Sequence, residues 1–276
     1  MSDTIGLVVP RISNPFFPVL IESVHSELQS TTKQLLLCDS MQDPSLEQQR
    51  LQALVDHQVD GILISPCDAE RSPGAVRAAA GTLPLVQIDR RIPSEPTDWV
   101  GVDDAAAMEL IVDHVVAQGA RTAVFVGSLP SSSSARLLLS VFSDASLRLG
   151  LRTHDPLLGD FTSAWGVDAA QRLLMNPDKR PDAIVCANDL IALGVLRELS
   201  RRGIRVPDDL LVTGFDDIAS AELAVPSLTT VRQPYETLAR EALRLLAERS
   251  AEPGAPWQSV AVAPTLVVRE STAPAA

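Results

Sequence analysis

The sequence predicts an α/β protein with two doubly wound lobes, each built on a parallel sheet. Short, nearly continuous apolar runs alternate with amphipathic helical stretches, a pattern typical of parallel strands covered on both faces. The alternation runs once over about 1–103 and starts again over about 104–230. The chain has 276 residues, which is long enough for two hydrophobic cores.

The first lobe is predicted to begin with the strand TIGLVVP at 4–10. A helix is predicted over 16–30, because apolar residues recur there every three or four positions. A second helix is predicted over 45–58, with Ser45 as its cap. The remaining strands of this lobe are predicted at 33–39, 60–66, 83–89 and 98–103.

The second lobe is predicted to begin with a helix over 105–120, closed by Gly119, and a strand over 122–128. In DAIVCANDLIALGVLRELSRRG, a strand over 182–188 is followed at once by a helix that ends at Gly203. The later predicted elements are helices at 164–176 and 235–250, a strand at 210–216 and β structure at 260–271.

Composition excludes several classes of protein. A formal net charge of -12 argues against this chain, alone, binding a nucleic-acid backbone. The start, MSDTIGLVVPRISNPFF, lacks the pattern of a secretion signal, and no apolar run approaches the roughly 20 residues that span a bilayer. The three cysteines are expected to be free thiols in a reducing compartment. We therefore expect a cytoplasmic protein without a membrane partner.

Catalytic and cofactor motifs are missing from the sequence. There is no dinucleotide or P-loop glycine pattern, no H-E-x-x-H and no G-x-S-x-G. The four histidines are scattered, and the cysteines lack the spacing of metal ligands. We therefore predict no enzyme activity, no metal and no cofactor.

Polar residues follow most of the predicted strands, at the carboxyl ends where open parallel sheets bind ligands. Carboxylates and amides suit a ligand rich in hydroxyl groups, and aromatic rings such as Phe16 and Phe161 stack on sugar rings. Asn and Asp in these places also cap the next helix, so each of them has two explanations. The strongest examples are Asn14, Asp39, Asp89, Arg90, Asp103, Asp104, Ser128, Asn188, Asp189, Asp216 and Asp217.

Several stretches become specific when they are taken together: IGLVVPRISNPFF at 5–17, DGILISP at 60–66, VQIDRRI at 86–92, VGVDD at 100–104, DAIVCANDLIALGVLRELSRRGIRVPDDLLVTGFDDI at 182–218, PSLTTVRQP at 226–234 and LVVREST at 266–272. They resemble the effector-binding domain of the lac repressor/galactose repressor (LacI/GalR) family over nearly the whole chain. The resemblance implies a type I periplasmic-binding-protein fold with three crossovers, near 102–104, 229–232 and 257–260. The implied lobes are 1–103 plus 232–258, and 104–231 plus 259–276.

The resemblance also implies a function. Members of this family are cytoplasmic transcription regulators, usually homodimers or tetramers, and their effector binds between the lobes. We expect a sugar or a related polyol or nucleoside as effector, and a homodimer formed through apolar helix faces at 45–58 and 71–80. Operator DNA is expected to bind only through a helix-turn-helix head that is absent from this chain.

Site residues are implied position by position. Asn14, Phe16 and Phe17 match the pocket wall that follows the first strand. Asp89 matches an acid that faces the ligand, and Arg90 lies beside it. Asp189 is expected to cap its helix or to brace the lobes. The residues implied to touch the ligand in the second lobe are Asn188 and Asp216, which bind hydroxyls, and Phe161, which stacks.

One stretch departs from the family pattern. Where members usually have S-A-R-x-R-x-x-G, this chain has SARLLLSVF at 134–142. Arg136 matches the first arginine, but Leu138 stands where the second arginine clamps the effector. Losing such charge-assisted donors costs on the order of 1.5–3 kcal/mol per bond. We expect a less polar or differently posed ligand, or the use of Arg90 or Arg136 instead.

Three other functions remain open at this point. A periplasmic sugar-binding protein shares the implied fold but needs an export signal. An enzyme needs a reactive set of side chains. A regulator core that responds to a protein partner fits the Leu138 departure.

Overall fold

A computed structural model describes residues 2–175 and 180–273. The strands are β1 (Thr4–Val9), β2 (Gln34–Asp39), β3 (Gly61–Ile64), β4 (Leu85–Ile88), β5 (Asp98–Val102), β6 (Thr122–Ser128), β7 (Arg152–Thr153), β8 (Leu157–Gly159), β9 (Ala183–Cys186), β10 (Leu211–Thr213), β11 (Thr230–Arg232), β12 (Ser259–Val262) and β13 (Thr265–Val267). The helices are α1 (Phe16–Leu28), α2 (Pro44–Asp56), α3 (Pro73–Ala80), α4 (Asp104–Ala117), α5 (Ser133–Leu149), α6 (Ser163–Leu173), α7 (Asp189–Arg201), α8 (Ala219–Leu223) and α9 (Tyr235–Ala251).

The chain divides into two compact units, each made of discontinuous segments. The first unit contains the chain up to Val102, Ser131–Ser133 and Pro234–Val262. The second contains Asp103–Pro130, Ser134–Gln233 and the chain from Ala263 onward. Each unit has its own parallel sheet, so the predicted α/β class with two parallel sheets is confirmed.

The first unit is a six-stranded sheet in the order β12-β5-β4-β3-β1-β2, with neighbouring strands parallel. Side chains alternate across β1, so that Ile5 and Leu7 face one core and Val8 faces the other. The first core contains residues of α1 and α9, and the second contains residues of α2 and α3. The sheet is therefore covered on both faces.

The late segment of the chain is fastened to β5 by a buried ion pair. Arg249 of α9 donates from Nε to Asp98 Oδ2 at 2.8 Å, and both side chains are almost fully buried. The same guanidinium donates to the carbonyl oxygens of Pro253 and Ala255, and the ring of Trp257 lies over it at 3.8 Å. These contacts position the turn that leads into β12.

The second unit has a parallel sheet in the order β10-β9-β6-β7, with β8 also paired to β6. An antiparallel ribbon of β11 and β13 accompanies it. Helices α6 and α7 touch through glycines: a Cβ added at Gly166 would overlap Ile191 O, and one at Gly194 would overlap Ser163 O. Only glycine permits this close backbone contact.

Several expectations need correction. Ser259–Val262 lies in the first unit, because β12 pairs with β5, and not in the second lobe. Asp43 caps α2 by accepting from Ser45 N at 2.8 Å, because Pro44 starts the helix one position before Ser45. The helix predicted over 164–176 ends at Leu173, and Asn176 lies outside the described residues.

The helices expected to form a dimer interface bury one apolar stripe each inside the first unit. Leu51 and Leu54 of α2, and Val76 and Ala79 of α3, belong to its second core. Leu46 and Val55 of α2 and Ala75 of α3 are only half-buried, so a dimer interface on these helices stays a prediction. In the part of the chain that the structure describes, no helix is long and apolar enough to cross a membrane.

Candidate functional site

In the first unit, Asp89 follows β4 in a left-handed backbone conformation, with φ 66°. Its carboxylate accepts a hydrogen bond from Ser65 Oγ at 2.9 Å. Its carbonyl oxygen accepts from Trp99 Nε1 at 3.0 Å, and its N–H donates to Val100 O at 2.9 Å. A non-glycine residue with positive φ persists only where its surroundings hold it, as three hydrogen bonds do here.

The Asp89 carboxylate lies beside one buried cation. Arg90 Nε is 3.8 Å from Asp89 Oδ2, and its guanidinium lies 5.9 Å from the centre of the Phe17 ring. Burial raises the pKa of Asp89, and Arg90 and the Ser65 hydroxyl oppose that rise. The turn thus places a carboxylate beside a guanidinium group, and their charges largely cancel.

The residues predicted as a pocket wall are partly core residues. Asn14 lies just before α1: its Oδ1 accepts from Phe16 N at 3.3 Å, and its carbonyl oxygen accepts from Phe17 N at 3.0 Å. Phe16 and Phe17 pack edge to face with their ring centres 4.9 Å apart, and Phe16 also packs against Tyr235. Both phenylalanines are buried in the first core. Their contact with a ligand stays a prediction.

In the second unit, Asn188 is the cap of α7 and has a spare amide. Its Oδ1 accepts from Ile191 N at 3.0 Å, which satisfies one free N–H of the first turn. The side chain is buried, and its Nδ2 has no hydrogen-bond partner among the described residues. A buried donor without a partner is costly. Capping therefore accounts for Oδ1 of Asn188 and leaves its Nδ2 available.

Asp189 braces α7 within the second unit. Its carboxyl group accepts from Thr230 Oγ1 at 2.6 Å and from Ile218 N at 2.9 Å, while its own N–H donates to Phe215 O. Burial is the main cause that raises the pKa of Asp189, to about 7, and the nearby Asp217 adds to it. Of its two expected roles, capping falls to Asn188; Asp189 holds the strand ends together.

Asp216 also has a positive φ, of 110°, and is buried. Its Oδ1 accepts from Gln233 Nε2 at 2.8 Å. Gln233 is buried too, and its Oε1 has no hydrogen-bond partner in the described part of the chain. The bond from Asp189 N to Phe215 O places the start of α7 next to Asp216. This end of the sheet thus combines an acid with one spare donor and one spare acceptor.

The three remaining predicted residues occupy different environments. Leu138 is buried on the face of α5 that also carries Ala135 and Phe142, and the Phe142 ring packs against Phe125. Arg136 is exposed in the first turn of α5, and Phe161 is half-buried between β8 and α6. Leu138 thus lies on the apolar side of its helix. A ligand contact for any of the three stays a prediction.

Ser65 and Gln233 are the residues that the sequence reasoning missed as partners of the two acids. Ser65 ends the DGILISP stretch and Gln233 lies in PSLTTVRQP, so both belong to stretches that had already attracted notice. Their hydrogen bonds depend on which strands pair, because β3 adjoins β4 and Asp216 pairs with Arg232, next to Gln233. A single sequence does not contain that information.

Comparison with known proteins identifies relatives for this fold. The family model of the periplasmic binding protein-like domain matches residues 112–272 of this chain. The ribose operon repressor of Escherichia coli K12 is 30% identical over 97% of this chain and 82% of its own length. Among solved structures, the complex of the transcriptional regulator CelR with cellobiose has a TM-score of 0.87 and 29% identity, covering 98% of this chain and 84% of that one. A LacI family regulator from Enterococcus faecium with bound ribose has a TM-score of 0.86 and 26% identity, covering 99% and 100%.

Proposed function

Because the chain belongs to the LacI/GalR family of transcriptional regulators, we propose that it is the effector-sensing core of such a regulator and binds a small sugar-like ligand. Two of its relatives were solved with cellobiose and with ribose, and a third is a ribose operon repressor. The effector acts by binding one conformational state of the regulator better than another, which shifts their populations.

One observation carries the ligand class. Asn188 Nδ2 and Gln233 Oε1 are buried and have no hydrogen-bond partner in residues 2–175 and 180–273, and Asp216 lies between the segments that hold them. A sugar hydroxyl accepts one hydrogen bond and donates another, so it satisfies a donor and an acceptor together. A charged acceptor beside them strengthens the bond from a second hydroxyl. Neighbouring hydroxyls on a sugar ring match this set.

The first unit contributes different chemistry. Asp89 and Arg90 offer an acceptor and a donor whose charges balance, which suits a neutral ligand better than a phosphate. Asn14 adds an amide, and the rings of Phe16 and Phe17 add apolar surface. Phe161 and Arg136 of the second unit are further candidates for ligand contact, whereas Leu138 is the weakest candidate because it is buried on the apolar side of α5.

The regulatory partners follow from the family. The relatives are transcriptional repressors, so we propose that the chain controls transcription in the cytoplasm and catalyses no reaction on its ligand. We propose operator DNA as the partner of the regulator; the net charge of -12 makes direct contact between these residues and the DNA backbone unfavourable. The regulator works as a homodimer.

Calorimetric titration with ribose, xylose, glucose, cellobiose and ribose 5-phosphate tests this function. We expect saturable binding of at least one neutral sugar and weaker binding of the phosphate. Failure of every neutral sugar at millimolar concentration would overturn the sugar-like ligand class and would revive a protein partner as the effector.

Asn188→Ser separates capping from ligand binding. Serine caps helices about as well as asparagine, so stability should change by only a few tenths of a kcal/mol. The variant has no amide to donate, so sugar affinity should fall about tenfold or more. Equal affinities of the two proteins would remove Asn188 from the ligand site.

A further inference from the structure

The first unit has a cavity of about 490 Å³ at the edge of its sheet where the strands begin. This edge is opposite, in the same sheet, to the strand ends that carry Ser65 and Asp89. The cavity lies where the last turns of α1 and α9 meet the start of β1. Its volume falls in the range of about 300–1,000 Å³ that is typical of small-molecule sites.

The floor of the cavity is apolar and well packed. Ile5, Leu28 and Leu246 form it, and each is less than 5% exposed. Gly61 shapes this floor, because a Cβ there would lie 2.9 Å from a Leu246 methyl group. Leu243, Ala247 and Ala251 extend the apolar surface to the walls, where Thr31 and Ser250 add two hydroxyl groups. Such a surface favours a hydrocarbon chain over water.

Charged groups surround the mouth of the cavity. Lys33 and Asp60 are paired, with 2.7 Å between Nζ and Oδ2, and Asp60 Oδ1 also accepts from Ser2 N. These bonds hold the pKa of Asp60 below its usual value. Both groups are thus committed to each other and to the backbone.

Glu27 is the charged group that remains. It lies at the end of α1 and is half-buried, and its carboxylate has no hydrogen-bond or ion-pair partner among the described residues. With Lys33 neutralised by Asp60, Glu27 leaves the described residues at the mouth with one net negative charge. Because these three charges sum to -1, the mouth favours a cationic head group over an anionic one.

We propose that this cavity binds a primary aliphatic amine, with the alkyl chain on the apolar floor and the ammonium group against the Glu27 carboxylate. The site is separate from the proposed sugar site. It does not depend on the identity of the effector.

The test is calorimetric titration of the protein with butylamine, hexylamine and octylamine, with hexanol and hexanoate as head-group controls. Each added methylene should tighten binding about fourfold until the cavity is filled. Hexylamine should bind more tightly than hexanol, and hexanoate least tightly. No dependence on chain length, or hexanoate binding as tightly as hexylamine, would overturn the proposal.

Two variants locate the site. Glu27→Gln should weaken hexylamine binding about two- to fivefold, the range for a partly exposed ion pair, and leave hexanol binding unchanged. Glu22→Gln, at an exposed position of the same helix outside the cavity, is the matched control and should have no effect. Ala247→Phe, at an exposed position on the cavity wall, should fill the space and abolish amine binding.

Binding of the sugar should survive Ala247→Phe, which shows that the variant is folded. Amine binding should in turn survive Asn188→Ser. If Ala247→Phe stays folded and still binds hexylamine with unchanged affinity, the amine binds elsewhere and the proposal is wrong.

Discussion

The turns around Asp89 and Asp216 both contain an acid with a positive φ, but they differ in the side chains that surround that acid. Each acid follows a strand of a parallel sheet, each has a positive φ, and each carboxylate accepts from a neutral side chain. The Asp89 turn adds a buried arginine and is electrically balanced, whereas the Asp216 turn adds amides with unsatisfied atoms. The Asp89 carboxylate already has one charged and one neutral partner. The Asp216 turn has two buried polar atoms without a partner among the described residues, and we propose that the ligand satisfies them.

The largest expected effect comes from separating α6 from α7, the helix that starts next to Asp216. Gly194→Ala should force α7 away from α6, because the added methyl group overlaps Ser163 O, at a cost of about 3 kcal/mol. Hydrogen exchange should show faster opening of the second unit and little change in the first. Gly74→Ala is the control, since nothing lies within 4 Å of its added Cβ. Equal protection of α7 in Gly194→Ala and wild type would show that the two helices can separate without cost.

A pH effect confined to the second unit is of similar size. Burial raises the pKa of Asp189 to about 7 in the folded protein, above the usual value of 3.8. The folded state therefore binds more protons than the unfolded state between about pH 4 and 7, and stability falls as pH rises through that window. The loss should be on the order of 4 kcal/mol.

Asp189→Asn checks this assignment. The amide keeps an acceptor for Ile218 N and a donor for Thr230 Oγ1, as the protonated acid does, but it does not titrate. Urea denaturation at pH 5 and pH 8 should show a smaller difference in the variant than in the wild type. Identical pH profiles would place the titrating group elsewhere.

The two acids should differ in their effect on sugar binding. Asp216→Asn keeps the bond from Gln233 and tolerates the positive φ, but it loses the charge that strengthens bonds from hydroxyl groups. We expect a loss of about 2 kcal/mol in binding free energy. Asp89→Asn should cost clearly less, because Arg90 and Ser65 already partner that carboxylate. Titration of both variants with the same sugar measures the two losses in binding free energy. Equal losses would contradict the proposed difference between the two turns.

The smallest effect concerns the scaffold of the first turn. Trp99→Phe removes the donor to Asp89 O, which should destabilise the first unit by about 1 kcal/mol. The phenyl ring still covers Gly101 and lies near Arg91, so the core contacts largely remain. The midpoint of urea denaturation measures the change. An unchanged midpoint would mean that water replaces the indole N–H at that carbonyl.

The sequence predicted the fold well where local pattern and burial agree. The strand at 122–128 and the start of the helix at 235 are confirmed to the residue. Both elements have a clear spacing of apolar residues, which is the main signal for strands and amphipathic helices. The two-residue strand Arg152–Thr153 carries no such pattern because it is exposed. The place of β12 depends on a pairing with β5 more than 150 residues away.

The candidate site was predictable in part. Asn188 was expected to touch a ligand, with capping as the competing explanation, and its two ends show that the two roles are compatible. Leu138 was noticed as a departure from the family pattern, but its burial with Phe142 follows from the packing of α5. Gln233 was missed, because its importance comes from the partner of its amide and not from its residue type.

The pairing of β12 with β5 also affects the order in which the two units can form during synthesis. Strands β6 to β10 of the second sheet occupy one continuous stretch, Thr122–Thr213, and emerge from the ribosome together. The first sheet is incomplete until Ser259–Val262 has been made, about 160 residues after β5, or roughly 8–30 s at usual elongation rates. Until then, Asp98 lacks Arg249 and the β5 edge is unpaired. A nascent chain is therefore most vulnerable to aggregation in its earliest-made part.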